Sequence, residues 1–147
     1  MERVRARLTR MFWIVTATAG LFFGLDVALH ELGTVVKVPF GTLRGWGIAL
    51  LILAVACGVA LPILLRAQFQ TRAARLRRVT LVQYEALQIR IMLLAWAAAL
   101  AADLAYLFPV PPVYLYGSVL AGLYGIYSII PSQRKITAEL RYYGLEQ

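Results

Sequence analysis

Four long apolar runs, separated by short polar or proline-rich stretches, make up most of this chain. The first, Met11 to Leu29, is broken by one charge, Asp26, and the second, Trp46 to Leu65, has none. The third, Ile91 to Phe108, holds Asp103, and the fourth, Val113 to Ile130, is again uncharged. Each run is close to the roughly 20 apolar residues that carry a helix across a hydrocarbon core of about 30 Å. The pattern predicts an all-α integral membrane protein, a single domain over residues 1–147. Its four transmembrane helices, at about 11–30, 46–66, 89–108 and 113–130, form two hairpins.

The polar stretches refine this. Residues 1–10 carry Arg3, Arg5, Arg7 and Arg10 and lead straight into the first run. Ala17-Thr18-Ala19 has the look of a cleavage site, but the apolar run continues well past it, which favours an uncleaved anchor over a signal peptide. Gly33 to Gly45, with Pro39 and three glycines, reads as a re-entrant or surface loop. Residues 67–88 read as a basic cytoplasmic connector. Within it Thr80-Leu81-Val82-Gln83 is a capping box that would start a helix running from Leu81 to Leu107 and projecting from the membrane. Pro109, Pro111 and Pro112 stop that helix, because proline lacks the N–H donor and restricts the residue before it. After Pro131, the spacing of Ile136, Leu140 and Tyr143 predicts a short amphipathic C-terminal helix lying on the headgroups.

Charge sets the orientation. Thirteen of the fifteen basic residues fall in residues 1–10, 66–90 and the tail after Pro131, whereas the two opposite loops hold only Lys37 and Arg44. Under the positive-inside rule both termini and the middle connector are cytoplasmic, in a prokaryotic-type inner membrane. The net charge of +8 and mean hydropathy of +0.73 point to anionic lipid headgroups as partners and not to nucleic acid. Arg72, Arg75, Arg77 and Arg78 are the expected contacts to headgroups or to a partner. The single cysteine, Cys57, lies inside an apolar run and reads as a small buried hydrophobe.

Few residues offer chemistry. Asp26 and Asp103 fall at similar depth near the outer ends of their spans, and acids within a membrane usually face protein or a water-filled cavity. His30 is four residues after Asp26, on the same helical face. Together with Glu31 these form a candidate ion or proton site, or else a set of groups that merely hydrogen-bond at the wet rim. A metal site is disfavoured, since there is one histidine and Glu31 turns away from it on a helix; no cofactor is expected. The membrane glutamate, glycine pattern or cysteine pairs of four-span multidrug exporters, fluoride channels and thiol-oxidising enzymes are missing. No catalytic constellation is present, so an enzyme is not expected.

Small-residue ridges complete the picture. Thr16, Gly20, Gly24 and Ala28 recur at steps of four on the first span, and Gly117, Ala121 and Gly125 on the fourth, a spacing that lets helices approach closely. Each ridge is a helix-packing or partner interface. These features predict a small non-catalytic accessory or structural subunit of a larger membrane complex, associating with other membrane subunits or with itself. The alternative is an oligomeric proton or cation transporter built on Asp26 and Asp103.

Overall fold

The computed structural model describes residues 2–33, 40–76, 80–108, 110–132 and 136–139; the side chains of residues 2, 3, 5, 40–43 and 74–76 fall outside the description. Among the described residues the fold is helical, with no strand. The helices are α1 (Glu2–Glu31), α2 (Phe40–Val55), α3 (Leu61–Leu76), α4 (Leu81–Leu107) and α5 (Pro112–Ser128). A π-helical turn, Ala56–Ala60, joins α2 to α3. Three helical stretches are long and apolar enough to cross a membrane: Ala6–Glu31, Arg44–Ala73 and Leu81–Leu107. α5 has 17 residues, about 26 Å of helix. Large apolar side chains such as Leu21, Leu25, Ile52, Ile63, Leu120 and Leu123 are exposed all round the bundle. Water-soluble monomers rarely leave so much apolar surface uncovered.

Local sequence explains the helix ends. Thr80 accepts a hydrogen bond from the Gln83 backbone N–H at 3.4 Å, and the Gln83 side chain accepts one from the Thr80 N–H at 3.3 Å. That reciprocal capping box satisfies two of the donors that a helix start leaves open. At the other end Phe108 leaves the helix in extended conformation, and Pro112 opens α5 at a position where its missing N–H costs nothing. The π turn sits directly before Pro62. A proline in a helix clashes with the carbonyl four residues earlier, here that of Gly58. The turn widens the ladder at that point, and the Leu61 N–H donates to the Ala56 carbonyl, five residues back.

Two expectations need correction. Residues 67–76 are the end of α3 and not a connector, whereas residues 81–88 are the first turns of α4, as the capping box at Thr80 predicts; residues 77–79, with Arg77 and Arg78, fall outside the described residues. Arg72 occupies a solvent-facing helix position, where charge is compatible with helix. The segment from Phe40 to Gly45, read as loop, already belongs to α2, while 34–39 fall outside the described residues.

Packing centres on α4. Half of its apolar window is buried, against 17% for the stretch in α1. It touches α1, α2, α3 and α5, whereas α1 packs chiefly against α4. The reason is composition: Ala95, Ala98, Ala99, Ala101, Ala102 and Ala105 are all buried, so neighbours can approach α4 from several sides. α1 and α4 run in the same direction, since Arg7 pairs with Glu85 at 3.0 Å and the His30 and Tyr106 rings lie 5.5 Å apart. One core cluster, around Leu8, Val15, Tyr84, Leu87, Ile91 and Ile129, fills the end near Arg7. A second, around Leu50, Ala54, Ala101, Ala105 and Ala121, fills the other half.

Candidate functional site

The second half of the bundle holds the acids. Asp26 on α1 and Asp103 on α4 are each only 8% exposed, and they lie within electrostatic reach of one another. The parallel course of α1 and α4 puts residues near the C-terminal end of each helix at one level. His30, one turn beyond Asp26, is exposed and rests against Tyr106, which also contacts Phe23 at 5.7 Å between centroids. Glu31 is exposed, outside this cluster. No group of three metal-ligating side chains forms among the described residues.

Next to Asp103, between α1, α4 and α5, lies an apolar groove of about 370 Å³. Thr16, Gly20 and Phe23 form one wall, Asp103 with neighbouring alanines the floor, and Gly122 and Leu123 the opposite wall. Its two polar side chains are both unsatisfied: Asp103 Oδ2 and Thr16 Oγ1 are buried without a hydrogen-bond partner. The contrast with Thr18 is instructive. That hydroxyl makes the usual helical back-bond, to the Ile14 carbonyl at 2.8 Å.

The small-residue ridges have opposite fates. Ala121 and Gly125 of α5 are buried and Gly117 is half-buried. A Cβ added at Gly125 would come within 3.3 Å of Gly58 Cα and 3.5 Å of Ala95 Cα, and one at Gly117 within 2.7 Å of Leu51. On α1, by contrast, Gly20, Gly24 and Ala28 are exposed, and a Cβ at either glycine would meet nothing within 4 Å. Thr16 is half-buried at the groove.

The end near Arg7 contains a polar network that residue patterns did not reveal. Glu139 Oε2 accepts hydrogen bonds from the Tyr84 hydroxyl at 2.6 Å and from Gln88 Nε2 at 2.8 Å. Arg66 donates to the Ser128 carbonyl at 3.3 Å. Ile136 is buried in the core beside Leu8 and Tyr84, so residues 136–139 dock on the bundle, where the sequence predicted a helix lying on headgroups. Leu140 and Tyr143 fall outside the described residues. The available signal was an acid, Glu139, three residues after Ile136, facing a tyrosine and a glutamine one turn apart on α4. Arg72 is exposed, and the side chain of Arg75 falls outside the described residues. Tyr124 and Tyr127 of α5 are exposed.

Comparison with protein-family models, with curated proteins and with solved structures found no match.

Proposed function

We propose that this protein is a small non-catalytic subunit of a larger membrane assembly, attached through the open ridge of α1. In this reading the chain crosses an inner membrane four times as two hairpins, with both termini and the α3–α4 connection cytoplasmic. α5, one turn of extended chain at each end included, completes the fourth crossing. The observation that carries the reading is Gly20 and Gly24. Glycine inside a helix costs about 1 kcal/mol relative to alanine. At Gly58 and Gly125 close backbone approach within the chain accounts for the missing side chain. At Gly20 and Gly24 nothing among the described residues does, and in this reading a helix from another subunit supplies the reason. The exposed Arg72 of α3 and Arg90 of α4 then face anionic headgroups or the partner's cytoplasmic surface.

The test is purification of the tagged chain in mild detergent followed by mass spectrometry. A stoichiometric larger membrane protein is the expected result; a clean homo-oligomer overturns the proposal. A second reading, a proton or cation transporter, draws support from the proximity of Asp26 and Asp103 inside the bundle. Reconstituted Asp26→Asn and Asp103→Asn chains with wild-type flux would remove it.

A further inference from the structure

We infer that the groove between α1, α4 and α5 is a binding site for lipophilic amines, small molecules with an apolar body and one protonated amino group. Every wall of the groove comes from one chain; its rim shares Gly20 with the α1 ridge of the assembly reading, so the inference concerns the chain with that rim uncovered.

Shape comes first. At about 370 Å³ the groove lies within the range of small-molecule sites, about 300–1,000 Å³, and is several times larger than one inserted side chain would fill. Its rim is set by Gly20, Phe23 and Leu123, all exposed on the apolar surface of the bundle. Entry is therefore sideways from the acyl-chain region, which selects molecules that already partition into the bilayer.

Chemistry selects among those. A lipid acyl chain would fit the walls but leave Asp103 Oδ2 and Thr16 Oγ1 without partners, and a buried polar group without a partner is destabilising. Asp103 is 8% exposed, and among the described residues no cation pairs with it: the ion pair present, Arg7–Glu85, is at the opposite end of α4. Asp26, a second carboxyl group, is within electrostatic reach. Two acids and no cation in an apolar setting favour a ligand that brings a positive charge and N–H donors. An ammonium group donating to Asp103, with the apolar body between Phe23 and Leu123, satisfies that carboxyl group, while Thr16 lies further along the groove beside the body.

The experiment uses the full chain in phosphatidylcholine nanodiscs at neutral pH. The probe is dansylcadaverine, a fluorescent lipophilic primary amine, and its N-acetyl derivative keeps the body while removing the charge. The expected result is saturable binding of the amine, about tenfold or more tighter than of the acetylated compound, as loss of a charge-assisted hydrogen bond in a buried site requires. Asp103→Asn abolishes that preference. Gly20→Leu, whose new side chain extends into open groove, weakens both compounds, whereas Gly24→Leu, outside the groove, leaves binding unchanged. Equal binding of the two compounds to the wild-type chain overturns the inference and leaves the groove an acyl-chain slot. That comparison needs no variant, so it decides the matter even if Asp103→Asn fails to fold. Recovery of the chain without a larger partner would remove the assembly proposal and leave this one intact.

Discussion

Glycines in this protein are distinguished by what faces them. A Cβ added at Gly58 would lie 2.5 Å from the Ala121 carbonyl oxygen, a backbone atom that cannot swing aside. Gly58→Ala is therefore expected to destabilise the fold by about 1–3 kcal/mol, as over-packing does. Gly24→Ala, with nothing within 4 Å, is expected to stabilise the isolated chain by about 0.4–1 kcal/mol through the unfolded state. Equilibrium unfolding of the detergent-solubilised chain, followed by helical circular dichroism, separates the two. An equal loss in both variants would mean that the α1 ridge is covered within the chain. Both ridges were legible as spacing. Spacing shows that residues share a face, but not which helix lies opposite, so the sequence could not tell the buried α5 ridge from the open α1 ridge. The placement of Asp103 was more legible, because Ala95 and Ala99 precede it on the same face and small residues on one face invite a neighbouring helix. Thr16 as a groove residue was not, since an isolated threonine ordinarily bonds its own helix, as Thr18 does.

At the level of elements, the ends of α4 were written in short-range chemistry and the ends of α2 and α3 were not. Thr80 and Gln83 fix the start of α4. Thr80→Ala should cost about 1 kcal/mol, the typical value for an N-cap, and appear as faster amide exchange confined to the first turn. Exchange unchanged there would show that tertiary contacts alone hold that turn. The basic run after Arg66 offers no such marker, because a solvated helix face and a solvated connector share a composition. The tail is held by a different device. The Tyr84 hydroxyl and Gln88 both serve Glu139, and hydrogen bonds to a charged group contribute about 1.5–3 kcal/mol each. Tyr84→Phe removes one of them. Amide exchange at residues 136–139 should then rise markedly while that of residues 91–105 stays constant. A uniform rise along α4 would instead mean that Tyr84 acts through the core.

For the whole molecule, the centre of organisation is α4 and not the first apolar run, a point beyond the reach of hydropathy because the more apolar stretch is not the more buried one. The alanines of α4 let four elements converge on it, and the convergence has a topological consequence. Arg7 pairs with Glu85, Glu139 receives Tyr84 and Gln88, and Arg66 reaches Ser128. The start of α1, the residues after α5 and the middle of α3 thus gather at the N-terminal end of α4, while His30 and Trp46 meet Tyr106 and Phe108 at its other end. If α4 crosses the bilayer, α1 crosses beside it in the same sense and α5 returns, which yields four crossings with both termini on one side. On the proposed topology, the excess of arginines at the first end would put that side in the cytoplasm under the positive-inside rule. This topology can be checked in a Cys57→Ala background, which lacks the buried native thiol. Arg72→Cys and Glu31→Cys each place a thiol at an exposed position, one at each end. With a membrane-impermeant maleimide on intact cells, Glu31→Cys should label fully and Arg72→Cys only after permeabilisation. Labelling of both from outside would break the four-crossing topology, and with it the lateral entry on which the amine site depends.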